Sequence, residues 1–287
     1  MAERVPGPRL GSGLGLARSL GLLAVLAASS IPVAVAAQPE PTDAGAPTPC
    51  PRQQAVRPAP PPPAALAPPA TAGESPAPGP SAAGPAAPGD TAADYRQAIR
   101  FTPWGPPLLP HWCVWIEPAS SAGPQAWLES RWLSAVEQAL ASWTALLPIT
   151  RVDEPERAHL QLLRRRPPRR TDTSGRLRAS HGRAELTVLE VQRQGRWRLE
   201  PSLRVLISPD QRQEAIQATA LHELGHGFGL WGHSPDAADA MAAVPGARPV
   251  LQLTARDRAT LDWLRRQPSP FGQPLGSPPT AGADGSP

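Results

Sequence analysis

The sequence predicts one mixed α/β domain, on three observations. Pro and Gly, 41 and 24 of 287 residues, crowd the first third of the chain and its last twenty positions, which leaves residues 92–267 to build a core. Within that stretch, short runs rich in Val, Ile and Leu accompany longer runs whose apolar residues recur at helical spacing. The elements come in the order strand, helix, three strands, helix, loop, helix, which is neither a bundle nor a sandwich.

Residues 1–37 have the shape of an export signal. Arg4, Arg9 and Arg18 give a basic start, Leu20 to Ala28 a short apolar run, and Ala34-Val35-Ala36 a small-residue cleavage site. The alternative is an uncleaved membrane anchor, but Ser29, Ser30 and Pro32 interrupt the apolar run. Residues 38–91 are rich in Pro, Ala and Gly and poor in large apolar side chains. Such a segment buries too little surface to offset its ordering entropy, so it is expected to be a disordered or polyproline-like spacer that the fold does not need. Residues 268–287 are expected to be a disordered tail.

Inside the domain, His111 to Glu117 is a short strand bounded by prolines. Leu128, Trp132, Ala135, Val136, Ala139, Leu140 and Trp143 share one helical face, which predicts a long amphipathic helix from Gln125 to Leu146, ended by Pro148. Strands are expected at His159 to Leu163, Ala184 to Val191 and Leu203 to Ile207. Gln213 to Gly227 is helical. Thr254 caps a last helix, with Asp257 three residues on, that runs to about Arg266.

The formal charge is +4 and the sequence pI about 10.2, yet every basic residue is Arg. The arginines are not interleaved with aromatics as a nucleic-acid platform requires, so nucleic acid is not an expected partner. The run Arg164 to Arg170 is a solvated loop or, alternatively, a contact for an anionic surface or polymer.

The chemistry is concentrated in His222-Glu223-Leu224-Gly225-His226-Gly227-Phe228-Gly229-Leu230-Trp231-Gly232-His233-Ser234. Residues four apart on a helix lie one turn above the other, so His222 and His226 can direct two imidazoles at one ion. Zinc accepts such nitrogens and prefers a tetrahedron, so two ligands from one helix are not enough and the chain must turn back. Gly229 can end the helix with a positive φ, and His233 then arrives as third ligand, leaving a fourth position for water. Glu223, next to the first ligand, is placed to act as general base toward a water whose acidity the metal raises. His111, His159 and His181 read as strand or loop residues, and the loop around Asp172 and His181 offers too few ligands for a second, structural metal.

Met241 falls eight residues after His233, and Ser234 follows that His directly. With these, the segment resembles the metzincin zinc proteases of the matrixin type, whose pattern is H-E-x-x-H-x-x-G-x-x-H followed by a Met-turn. The resemblance spans about Tyr95 to Gln267, and its specificity resides in His222 to Met241. It implies a twisted mixed sheet packed on a long helix and an active-site helix, with a small C-terminal subdomain holding the Met-turn and a final helix. It also implies Met241 as the hydrophobic floor beneath the metal. One position departs from the pattern: the third His is expected at residue 232, which is Gly, so His233 comes one residue late. Asp236 and Asp239 are the alternative third ligands, since metzincins also use Asp.

Two cysteines, Cys50 and Cys113, are able to pair in an oxidising compartment. Matrixins block their zinc with a pro-segment Cys, and Cys50 is the only candidate, but Pro49-Cys50-Pro51-Arg52 does not match their P-R-C-G pattern. The function expected is a secreted or cell-envelope zinc metalloendopeptidase acting on proteins or peptides, with no stable membrane insertion once the signal is cleaved. The alternative is a non-catalytic cell-envelope interaction protein with a degenerate zinc site.

Overall fold

The computed structural model describes residues 50–62, 93–171 and 175–276. The expected export signal lies outside them. Among the described residues, no helix is long and apolar enough to cross a membrane.

The domain is mixed α/β, with a six-stranded sheet and three helices. The strands are β1 (Ala55–Pro58), β2 (Trp112–Ile116), β3 (Ile149–Val152), β4 (Leu160–Leu163), β7 (Gly182–Arg193) and β8 (Arg196–Ile207), in the spatial order β1-β7-β8-β4-β2-β3. β3, β2, β4 and β8 run parallel to one another, whereas β7 is antiparallel to β8 and β1 antiparallel to β7. A two-stranded ribbon, β5 (Arg170–Thr171) with β6 (Leu177–Arg178), sits between β4 and β7 in the chain. The helices are α1 (Ala126–Thr144), α2 (Gln213–Gly227) and α3 (Ala255–Arg265).

Each predicted helix and strand has a counterpart, and β7 and β8 are longer than expected because they form one hairpin. Gln194 and Gly195 both have positive φ, 50° and 74°, as a two-residue type I′ turn requires. Pro201 lies inside β8 opposite Val188. It donates no ladder bond, and β4 pairs with β8 only from Leu203 onward, so the missing N–H interrupts nothing on that side.

α1 buries the face formed by Trp132, Ala135, Val136, Ala139, Leu140 and Trp143. Both indoles are fully enclosed and donate to backbone carbonyls, Trp132 Nε1 to Ile207 at 3.2 Å and Trp143 Nε1 to Leu221 at 3.1 Å. α1 is thereby fastened to the end of β8 and to the middle of α2. In α2, Gly225 and Gly227 are needed for space: a Cβ at the first would collide with Met241 and at the second with Leu160.

The boundaries of the domain are wider than the composition implies. Residues 50–62 are not a separable spacer. β1 pairs with β7 from Leu189 to Gln192, and Cys50 is disulfide-bonded to Cys113 on β2, 63 residues away, with a Cα–Cα distance of 5.8 Å. Arg193, buried at the end of β7, binds the carboxylate of Glu200 at 2.9 Å and also donates to the Pro51 carbonyl. Arg157 Nε donates to the Cys50 carbonyl at 2.8 Å. A Pro-rich strand with a poor apolar content holds here because its neighbours supply the ladder, the cross-link and the charge. At the other end, Phe271 is buried, and Gly272 and Leu275 N–H groups donate to Leu199 and Trp197 on β8 at 2.8 and 3.0 Å. The tail assigned to 268–287 therefore belongs to the domain as far as residue 276. The Cys50–Cys113 bond also rules out Cys50 as a thiolate blocking a metal while it stands.

Behind the disulfide, His159 accepts the Cys113 N–H at Nδ1, 3.0 Å away, so its ring proton sits on Nε2, 3.6 Å from Glu200. Burial, and then the charge of Arg193, push the His159 pKa down to about 3. The ring is therefore neutral at physiological pH and the contact with Glu200 is not an ion pair. Burial raises the Glu200 carboxyl, opposed by Arg193.

The disulfide and His159 can each be tested. Cys50→Ser/Cys113→Ser should lower unfolding stability by roughly 2–5 kcal/mol, the range for removing a native disulfide, measured by urea denaturation. The folded His159 pKa lies below the unfolded value near 6.5, so the unfolded chain binds more protons between those values and stability falls as pH drops through that window. His159→Gln, which keeps an acceptor and does not titrate, should flatten the pH 4–6 slope by on the order of 1 kcal/mol per pH unit. An unchanged slope would show that His159 is protonated in the fold.

Candidate metal centre

α2 carries His222, Glu223 and His226, and its end determines where His233 goes. The helix stops in a Schellman arrangement: Gly229 N–H bonds the His226 carbonyl at 3.0 Å and Leu230 N–H reaches back to Gly225 at 2.9 Å. Gly229 has φ 106°, the left-handed conformation such an ending needs. The chain then reverses through Trp231 and Gly232 and delivers His233.

The three imidazoles converge. One ligand atom from each of His222, His226 and His233 lies within 4.8 Å of the other two. Two nitrogens bound tetrahedrally to one zinc stand about 3.4 Å apart, so small side-chain adjustments close the site. The tautomers are determined as well. His222 Nδ1 donates to the Ala240 carbonyl at 2.8 Å and His226 Nδ1 to the Leu230 carbonyl at 2.7 Å, because a carbonyl can only accept. Each ring therefore turns an unprotonated Nε2 away from its carbonyl, as a metal ligand must. Burial drives the pKa of His222 and His233 below the usual imidazole range and that of His226 down to about 3. The three rings are neutral at physiological pH, and this donor set fits a borderline-soft divalent ion.

The two carboxylates that could have replaced His233 are engaged elsewhere. Asp236 accepts from Ala238 N–H and from Arg256, each at 2.9 Å. Asp239, buried, accepts from Ser234 Oγ, from Thr254 Oγ1 at 2.6 Å and from Arg256 at 3.1 Å. Neither joins the His group.

Glu223 faces a cleft of about 570 Å³ beside the histidines, whose walls include His181, Gly182, Ala215, Thr219, Ala240 and Val250. Burial raises its carboxyl pKa to about 7, against the pull of the Ala184 N–H and of Arg183. Gly182 makes room for it: a Cβ there would stand 2.6 Å from Glu223 Cγ. Met241 lies buried against α2 at Gly225, in the loop that follows His233. Its loop is tied down by Ser234 N–H donating to the Met241 carbonyl at 2.8 Å.

Sequence reasoning missed the residues that orient the ligands. The Ala240 and Leu230 carbonyls have no side-chain signature. Asp257 was legible only as the third residue of a capping box with Thr254. Its carboxylate also accepts from Ala240 N–H at 2.9 Å and Tyr95 OH at 3.0 Å. A second His/Cys group, Cys50, His111 and Cys113, is closed to metal by its disulfide. No protein-family model matches the chain, and no curated protein matches it.

His233→Ala should cut affinity for a divalent transition metal at least about tenfold, as losing a ligand does, whereas Asp236→Ala should leave it unchanged. Metal retained after dialysis, measured by inductively coupled plasma mass spectrometry, separates the two. Retention in the first variant with loss in the second would reverse the ligand assignment.

Proposed function

We propose that this chain is an exported zinc-dependent endopeptidase of the matrixin-like metzincin type, in which His222, His226 and His233 hold zinc and Glu223 is the general base. One observation carries the proposal: three neutral imidazoles, two of them fixed at Nδ1 by backbone carbonyls, converge beside a cleft that also receives the partly buried carboxylate of Glu223. Zinc, when bound, supplies Lewis acidity, making a water acidic near neutral pH and polarising a carbonyl.

The chain's own residues supply the rest. Glu223 takes a proton from the attacking water and returns it to the departing amine. Its burial, with a pKa raised to about 7, suits a group that must both accept and release a proton near neutrality. The Ala184 N–H and Gly182 fix where that carboxylate stands. Support for the family comes from the Ser234–Met241 spacing, the buried Met241 and the mixed sheet with a long helix before it and a final helix after it. The disulfide suits an oxidising, extracytoplasmic compartment.

Glu223→Gln should keep the metal and lose hydrolysis by roughly two to four orders of magnitude, since only the base is removed. Cleavage of casein or a quenched fluorescent peptide, with and without chelator, reads the second effect and metal content the first. Wild-type protein that holds zinc and cuts neither substrate would instead be the non-catalytic interaction protein.

A further inference from the structure

The peptidase reading leaves one feature of the sequence unused. Between Arg164 and Arg183, eight of 20 residues are Arg and one, Asp172, is acidic. This charge is not scattered over the surface. Arg183 donates to the Pro168 carbonyl at 2.8 Å, which holds the loop from residue 164 to 170 against the start of β7. The preceding residue, Gly182, is the one pressed against Glu223. On the other side of the ribbon, residues 179–182 follow β6 directly and line the cleft. The loop itself does not line the cleft, but Arg183 ties it to the strand residue next to Gly182 and Arg166 ties it to Asp210, next to the cleft residue Gln211, so it stands at the cleft's rim.

Not all of these arginines are available. Arg164 is held by Glu129 at 3.3 Å and by the Trp132 ring, 5.5 Å from its guanidinium. Arg166 meets Asp210 at 2.7 Å but stays half exposed. Arg165 and Arg169 are exposed, on either side of Pro167-Pro168, which fixes φ and keeps the loop extended. Guanidinium forks held on such a rigid loop suit carboxylates, which they bind in bidentate fashion. The stretch from 164 to 183 contains no Phe, Trp or Tyr, so it offers no stacking surface for nucleic-acid bases.

We propose that the arginine loop beside the cleft, Arg165, Arg166 and Arg169, is a docking surface for an acidic stretch of the polypeptide substrate, an assignment that rests on the peptidase reading above. Substrates with Asp or Glu clusters flanking the cut site are then preferred, and the preference is sensitive to salt because the patch is exposed.

The test uses full-length Glu223→Gln protein and two fluorescein-labelled peptides, identical except for six Glu or six Gln in a row. In about 50 mM salt the Glu peptide should bind roughly tenfold or more tightly than the Gln peptide by fluorescence anisotropy, and the difference should vanish near 500 mM. Arg165→Gln/Arg166→Gln/Arg169→Gln should weaken the Glu peptide roughly fivefold to thirtyfold and leave the Gln peptide unchanged. Arg265→Gln/Arg266→Gln on α3 is the control and should change neither. With Glu223 restored, the triple variant should lose the same factor in kcat/KM on a Glu-flanked substrate while keeping its activity on a neutral one. Hydrolysis with no preference for Glu would overturn the docking surface alone. Arginine-dependent binding without any hydrolysis by wild type would overturn the peptidase reading and the substrate assignment with it. Tighter binding of duplex DNA or of phosphatidylglycerol vesicles than of the Glu peptide would also overturn the assignment.

Discussion

The geometry of the candidate metal centre depends on a carboxylate that touches none of its three histidines. Asp257, almost fully buried in the first turn of α3, accepts from the Thr254 N–H at 3.0 Å, from Ala240 N–H at 2.9 Å, from Met241 N–H at 3.4 Å and from Tyr95 OH at 3.0 Å. A buried carboxylate must find such donors or bear a large desolvation cost. In satisfying itself it fixes the turn at 240–241, and with it the carbonyl that receives His222 Nδ1. The N-terminal cap of the last helix is thus connected by two hydrogen bonds to His222 on the middle helix. A hydrogen bond to a charged group contributes about 1.5–3 kcal/mol, and the neutral bond from His222 to the Ala240 carbonyl about 0.5–1.5 kcal/mol. Tyr95 joins the same carboxylate from the start of the domain, and its hydroxyl is held protonated by burial and by the Asp257 charge.

A second set of constraints closes the sheet. β8 is covered along its first half by β7 on one side and by residues 272–275 on the other, while β1 covers β7 from Leu189 to Gln192. Both covering segments come from Pro-rich parts of the chain that carry little apolar surface of their own. Exposed sheet edges invite pairing with other chains, and short Pro-bearing strands are one way to cap them. The β1 cap pairs only with the second half of β7 and does not reach its first residues, where Gly182 to Ala184 meet Glu223 and the cleft.

What was legible in the sequence shares one property: it is periodic or local. The buried face of α1, the 222/226 pair and the capping box of α3 repeat at helical spacing, so the residues announce themselves. His233 followed from counting along a short loop. The features that escaped depend on partners far away in the chain. β1 is four residues, one of them Pro, and only β7, more than 130 residues on, makes it a strand. The full length of β7 and β8 escaped because Gln194-Gly195 is a weaker turn signal than Asn-Gly, and Pro201 resembles a strand end until the pairing is known. The disulfide was chemically permitted but not implied, since two cysteines carry no spacing rule. The carbonyls of Ala240 and Leu230 orient two ligands and have no residue identity at all.

The additional residue between Gly229 and His233 shows how a departure from a motif is accommodated. Gly232 does not serve through backbone freedom, since in this loop a positive φ falls on Gly229 alone. Gly232 matters through its size. A Cβ at 232 would overlap the Ala98 carbonyl and crowd the backbone of Ile99. The longer turn therefore bulges toward the segment at 98–100, and Arg100 N–H fastens it there through the Trp231 carbonyl at 2.8 Å. The bulge leaves Leu230 close enough for its carbonyl to hold His226 Nδ1, and it stacks the Trp231 ring on the His226 imidazole at 5.6 Å. The loop takes this path because the position pressed against the neighbouring backbone carries no side chain, and His233, which follows, comes within 4.8 Å of His222 and His226.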